Sequence, residues 1–348
     1  MVTIYDIAER AGVSAATVSK VLNGYKDVSA KTVTKVQLIC EEMGYRPNSV
    51  ARGLATKKSS AIGIFFTDHL NSGFRHPFLQ DILASFKEVV GLAGYDLVFF
   101  SDDRPNNHLN SFYDRAKHRN VDGVFLMGVP RTDPNLHSLA HGNLPCMAID
   151  LDILGPRASY ITSDNIGGAI KAVDHLVEMG HRDIAFISDV FSTKPGQDRL
   201  IGFRLALEKH QISMRSEWIL NGDFTEQGGY KSCLRLFEKS KLPTAIFCAG
   251  DMMALGASRA LNEKGIRVPE EMSVIGFDDL ALLKFVKPGL TTIHQNKDLL
   301  GKRAATELLK MMKDPNYFPI TSSLVETTLI VRETVGKPRT HKLSQTLT

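Results

Sequence analysis

Apolar side chains recur along this chain in two different rhythms. Up to about residue 45 they return every third or fourth position, in three short bursts. From about residue 60 they gather into longer runs separated by amphipathic stretches. The first rhythm has the period of helices; the second is that of buried strands alternating with helices. In the first burst Ile4, Ile7, Ala8 and Ala11 share a face, which predicts a helix over 4–11, and Gly12 stands where a helix end takes a left-handed residue. Ser14 is placed as an N-cap for a second helix over 15–22, with Val18, Val21 and Leu22 on its apolar side. Ser29 caps a third, whose inner face is Val33, Val36, Cys40 and Met43; Gly44 ends it and Pro47 prevents its resumption. Helix, glycine turn, capped helix is the grammar of a helix-turn-helix.

The outward side of the second helix is small, polar or basic: Ala15, Ala16, Thr17, Ser19, Lys20 and, just beyond, Asn23. Such a side suits a helix lying in a DNA major groove, where alanine leaves room for a thymine methyl and lysine donates to guanine. Thr3, Tyr5, Ser14, Ser29 and the helix N-termini are candidates for holding phosphates. Each residue alone fits a plain three-helix bundle with a solvated face; the spacing is what favours DNA. Residues 48–56 follow, with Asn48 as a cap and Val50, Ala51 and Leu54 on one edge. A helix this short is marginal in water, so the segment is expected to fold only when paired on DNA. Leu54 then stands either as a wedge between base pairs or as a linker residue docked on the body.

In the second rhythm AIGIFF, DLVFF, GVFLMGV, PCMAID, DIAFIS, EWIL, TAIFCAG and MSVIGFDD read as strands, and FLQDILASFKEVVGLAGY is the clearest helix among them. This predicts parallel sheets with helices on both faces, arranged as two successive α/β units and hence two lobes. Ligands of such sheets bind beyond the carboxyl ends of the strands. Residues just past strands are therefore candidates for binding an effector: Asp68, His76 with Phe78, Asp102, Asp150, Arg199, Phe224, Asp251 and Asp278. Carboxylates and arginine take paired hydroxyls while a ring covers the apolar face of a sugar; arginine and phenylalanine also suit a purine. Any one of the acids is as readily a helix cap or a surface charge.

Charge sharpens the division. The net charge is +4, and residues 1–60 hold nine Lys/Arg against five Asp/Glu, so the excess lies wholly in the helical module and the rest is neutral. Cys40, Cys146, Cys233 and Cys248 are widely spaced, which excludes a zinc motif or disulfide framework and predicts neither metal nor other cofactor. No signal-peptide run or membrane-spanning stretch occurs, so a cytoplasmic protein without a membrane partner is expected. Nucleophile-elbow, P-loop and His-Glu-x-x-His motifs are missing, and the Gly-Gly pairs at 167–168 and 228–229 are too weak for a dinucleotide fingerprint; an enzyme is not expected.

VTIYDIAERAGVSAATVSKVLNG, VSAKT and GYRPNSVARGLATKKS resemble the DNA-binding headpiece of the LacI/GalR family, and SDNIGGAIKAVDHLVEMGHRDIAFI, DRLIGFRLAL, VIGFDDL and LTTIHQ extend the resemblance over nearly the whole chain. The resemblance implies an all-α helix-turn-helix headpiece (1–47), a hinge helix and linker (48–58), a two-lobed periplasmic-binding-protein-like domain with parallel sheets (59–340) and a polar tail (341–348). It implies a repressor that binds a near-palindromic operator as a homodimer, with Ala15, Ala16, Lys20 and Asn23 on bases and backbone and Leu54 inserted at the central step. It supports Asp150, Arg199, Phe224 and Asp278 as effector contacts and points to a sugar or sugar derivative. A purine, or a phosphoprotein corepressor on the outer face, remains the alternative. The chain departs from the family pattern at Gly250, where asparagine is frequent, and at Met127. The tail has no leucine heptad, so a dimer rather than a tetramer is expected.

Overall fold

The computed structural model describes residues 2–22, 24–25, 27–45, 58–66, 76–101, 111–189, 193–319 and 323–339. They fall into two compact units, Met1–Ser60 and Ala61–Thr348.

Among its described residues the first unit holds three helices, α1 (Ile4–Ala11), α2 (Ala15–Leu22) and α3 (Ala30–Glu42). Local chemistry sets their ends. Thr3 and Asp6 form a reciprocal capping box, the Thr3 backbone N–H donating to Asp6 Oδ2 at 2.8 Å and the Asp6 N–H to Thr3 Oγ1. Gly12, at φ 63°, closes α1; Ser14 Oγ and Ser29 Oγ accept from Thr17 N–H and Thr32 N–H at the starts of α2 and α3. The buried core is Ile7, Ala8, Ala11, Val18, Val21, Val36, Ile39 and Cys40. Val33 and Met43, expected inside, pack only at its edge, and Ile39 takes the interior place.

The second unit contains two six-stranded sheets. With β1 (Ala61–Phe66), β2 (Asp96–Phe100), β3 (Gly123–Met127), β4 (Cys146–Ile149), β5 (Ala158–Ser163) and β11 (Ser323–Val325), the first has the order β11-β5-β4-β3-β1-β2. With β6 (Ile184–Ser188), β7 (Ile219–Asn221), β8 (Ala245–Cys248), β9 (Ser273–Asp278), β10 (Thr291–Gln295) and β12 (Thr327–Ile330), the second has the order β12-β10-β9-β8-β6-β7. Described pairings are parallel except that of β10 with β12. Strands β3, β4, β6, β8 and β9 are buried at every position, which is why their sequences are apolar apart from Ser188, Ser273 and Asp278 at strand ends.

The helices are α4 (Pro77–Leu92), α5 (Phe112–His118), α6 (Leu136–Ala140), α7 (Asn165–Glu178), α8 (Lys194–Lys209), α9 (Glu226–Leu236), α10 (Asp251–Glu263) and α11 (Lys297–Lys313). None among the described residues is long and apolar enough to cross a membrane.

The lobes are not two successive units, as the sequence pattern suggests. The chain leaves the first sheet after β5, returns after β10 when α11 packs on α4, and crosses again between β11 and β12. The crossings are tied together: Asp164 N–H donates to Val325 O at 2.8 Å and Thr327 Oγ1 to Asp164 O at 3.2 Å. Three short connections thus join the lobes, the first and third bonded directly to each other. The segment EWIL also differs from expectation. Ser216–Trp218 is a 3₁₀ turn that buries Trp218, whose Nε1 donates to Lys241 O, and only then does β7 begin. The four cysteines are buried free thiols.

Candidate functional site

In the first unit the outward side of α2 is accessible as the pattern requires: Ala16 and Lys20 are exposed and Ala15, Thr17 and Ser19 half-buried, with Tyr5 exposed on α1. Thr3, Ser14 and Ser29 are already engaged as caps, so their hydroxyls serve helix ends first. Lys20 is paired too. Its Nζ lies 2.5 Å from Asp27 Oδ2, a partner that helical periodicity could not reveal because Asp27 lies beyond the turn. Asn23, Asn48, Ala51 and Leu54 lie outside the described residues.

In the second unit a cavity of about 80 Å³ opens where the strand ends of both sheets face each other. From the first lobe it takes His76, Phe78, Leu79, Val129 and Asp150; from the second, Thr193, Pro195, Arg199, Phe224 and Asp278. Six of the expected effector residues are thus brought together. Asp68 and Asp102 lie outside the described residues.

Arg199 organises the site from α8, 2% exposed. Its Nε donates to Asn165 Oδ1 at 2.8 Å, its Nη1 donates to Ala249 O, and Asp278 Oδ1 stands 3.6 Å away. Gly202, one turn on, makes this reach possible: a Cβ there would meet Ile166 O at 2.4 Å, so only glycine lets α8 come this close to α7. The guanidinium lies 3.7 Å from the centre of the Phe277 ring and 5.8 Å from that of Phe224. Asp278 accepts from Gln295 Nε2 at 2.6 Å, and Asp150 accepts from Thr162 Oγ1. Burial raises the pKa of both carboxyls, with Arg199 pulling each back, and burial lowers that of Arg199 itself. His76 is also buried, and desolvation pushes its pKa down.

The backbone is strained where these groups emerge. Asp150, Asp223, Phe224, Asp278 and Asp279 all have positive φ, between 51° and 119°, which costs a non-glycine residue of order 1 kcal/mol or more. Three of the five, Asp150, Phe224 and Asp278, line the cavity, and Asp223 and Asp279 adjoin them in sequence.

Asp251 corrects the sequence-based expectation. It is fully buried and not among the lining residues; its carboxylate accepts from Thr292 Oγ1 at 2.6 Å and from Leu280 N–H at 2.9 Å. It pins the start of α10 to β10 and to the loop after β9, behind the cavity. Asp251→Leu is expected to lower stability by about 1–3 kcal/mol for each donor left unsatisfied, while effector affinity changes by less than about tenfold. Urea unfolding and calorimetric titration check this; a large affinity loss without a stability loss would return Asp251 to the binding site. Asn165 and Thr162 escape a reading of the sequence for a physical reason. β5 carries Ser159, Thr162 and Ser163 in its interior and shows no apolar run, so nothing marks the residues at its end as strand-end residues.

The family profile described as bacterial regulatory proteins, lacI family, matches residues 3–48, and that of a periplasmic binding protein-like domain matches 173–335. A curated relative, the HTH-type transcriptional repressor PurR of Actinobacillus pleuropneumoniae serotype 3 (strain JL03), is 34% identical over 313 residues, 90% of this chain and 92% of its own length. The solved lac repressor dimer bound to operator and the anti-inducer ONPF is 31% identical with a TM-score of 0.81, covering 96% of this chain and 99% of that one. The transcriptional regulator CelR in complex with cellobiose is 29% identical with a TM-score of 0.70, covering 96% and 100%.

Proposed function

This chain belongs to the LacI family of bacterial regulatory proteins and is a DNA-binding transcriptional repressor, and we propose that its effector is a compact planar base of the purine class held between the lobes. The observation that carries the proposal is the buried Arg199 guanidinium, backed by the Phe277 ring outside the cavity lining and set beside Asp278 and Phe224, which line the cavity together with Phe78. A flat heterocycle stacks on aromatic faces and presents ring acceptors to arginine and ring N–H groups to carboxylates. The PurR name of the curated relatives points the same way.

A sugar is the second reading. Asp150 and Asp278 are suited to paired hydroxyls, and CelR was solved with cellobiose. Thermal-shift and calorimetric titration with hypoxanthine, guanine, adenine, glucose and cellobiose separate the two. A purine at about 100 times its Kd should add about 2.7 kcal/mol of stability; stabilisation by the sugars alone would replace the purine reading.

Two copies of the chain then place two α2 helices on the half-sites of a near-palindromic operator, and effector shifts the balance between lobe geometries by no more than its differential affinity for them. Ala15, Ala16, Thr17, Ser19 and Lys20 form the groove-facing set. Lys20→Ala is expected to weaken binding to a duplex selected from a random pool by about 1–3 kcal/mol and to relax one base position. The melting temperature should barely move, because an exposed ion pair such as Lys20–Asp27 contributes about 0–1 kcal/mol. An unchanged footprint and affinity would remove Lys20 from the interface.

A further inference from the structure

The acid and the arginine that face each other across the cavity are joined by a continuous line of hydrogen bonds that avoids the cavity altogether. Asp150, on the first lobe, accepts from Thr162 Oγ1; Thr162 Oγ1 in turn accepts from Asn165 Nδ2 at 3.0 Å; Asn165 Oδ1 accepts from Arg199 Nε at 2.8 Å on the second lobe. Asn165 is 1% exposed and its Nδ2 also donates to Ser163 O at 3.1 Å, so its amide orientation is determined by its partners on both sides. Thr162, Ser163 and Asn165 bracket the first crossing between lobes. Asp164, within that bracket, bonds Val325 and Thr327 at the third crossing. Beyond Arg199, Asp278 accepts from Gln295, the last residue before the second crossing. The line thus runs through the first crossing, and two of its immediate neighbours, Asp164 and Asp278, bond the third and the second.

Two buried polar atoms at these crossings have no hydrogen-bond partner among the described residues: Ser163 Oγ and Gln295 Oε1. An unpaired buried polar group is costly, and native structures keep few of them. Three further such atoms, His76 Nδ1, His175 Nε2 and Ser188 Oγ, lie away from the crossings; the two on the crossing strands are the ones a turn of the lobes would re-partner.

We propose that the Asp150–Thr162–Asn165–Arg199 line is the element that couples effector occupancy to lobe geometry, with Thr162 as its positioning residue. An effector that engages Asp150 and Arg199 together pulls on both ends of a line anchored at the hinge. The crossings then move to the arrangement in which Ser163 and Gln295 find partners. Thr162 does not touch the effector: its hydroxyl aims the Asp150 carboxylate and reports that carboxylate's position to Asn165. The inference rests on the cavity being the effector site.

The test is a coupling measurement, in which the Kd of the full-length protein for a selected operator duplex is taken with and without saturating ligand. Hypoxanthine, guanine and cellobiose are the probes, and their ratio of Kd values is compared between wild type, Thr162→Val and Thr162→Ser. Thr162→Val keeps the shape and removes the hydroxyl, while Asn165 retains Ser163 O and so still holds Arg199. The ratio should fall by roughly 2- to 30-fold in Thr162→Val and return in Thr162→Ser. A purely structural role would lower stability in Thr162→Val without moving the ratio, and an unchanged ratio overturns the proposal. Should no probe alter operator binding even in wild type, the effector reading itself fails, and this inference fails with it.

Discussion

Arg199→Ala is expected to abolish the effect of ligand on operator binding and to lower stability by about 3–5 kcal/mol. The residue is fully enclosed, stacked on Phe277, and bonded to Asn165 and Ala249 with Asp278 at 3.6 Å. Alanine leaves two carbonyl-type acceptors unpaired and two buried carboxyls, Asp150 and Asp278, without the cation that offsets them. An ion pair in a dry interior contributes little net stability compared with apolar packing, but removing one partner exposes the full desolvation cost of the other. Arg199→Ala combined with Asp278→Leu should therefore recover part of the lost stability while leaving the protein unresponsive. Urea unfolding and gel shift with and without ligand measure the two effects separately. A single mutant that still responds to ligand would show that the cavity is not the effector site.

Ile7→Ala is expected to remove operator binding while leaving ligand binding intact. Ile7 is fully buried in the core of the first unit, which has eight buried residues among those described. Truncating a buried isoleucine costs about 2–5 kcal/mol, and a module of this size seldom has more than about 3–5 kcal/mol of stability to lose. The helices that carry Lys20 and Ala16 would no longer hold their relative positions. The ligand cavity lies entirely within the second unit and draws nothing from α1 to α3. Gel shift should show loss of operator binding, and calorimetry an unchanged ligand Kd; retention of near-normal operator affinity would mean that this core is not what positions α2.

Much of the first unit is legible in its residues alone. Helices 4–11 and 15–22 follow from the sequence at their observed limits, and three of the four ends are determined by groups within four residues: Thr3 with Asp6, Gly12, Ser14 with Thr17. The central strands are equally plain, since burial on both faces leaves an apolar run. The pattern hides β5, whose interior includes Ser159, Thr162 and Ser163, and β11 and β12, too short to show any period. Their partners are remote: β11 pairs with β5 and β12 with β10, so neither is a strand except in the folded molecule. Without them, an interleaved pair of lobes reads as two successive ones. Asp251 shows the same limit at the site. Its place after a strand looks like that of Asp150, yet one carboxylate meets Thr292 and the other lines the cavity.

The chain's own letters therefore settle what short-range forces can settle: where helices start and stop, which strands lie inside, where the positive charge gathers, and which family the pattern resembles. Folding decides the rest. Arg199 finds Asn165 across 34 residues, Asp251 finds Thr292 across 41, and Arg199, Asp150 and Asp278 share a cavity only because three crossings bring two sheet edges face to face. A cap or a turn is satisfied by neighbours and leaves a local signature. A buried charge is satisfied by whatever the closed fold delivers to it, and sequence spacing carries no record of that.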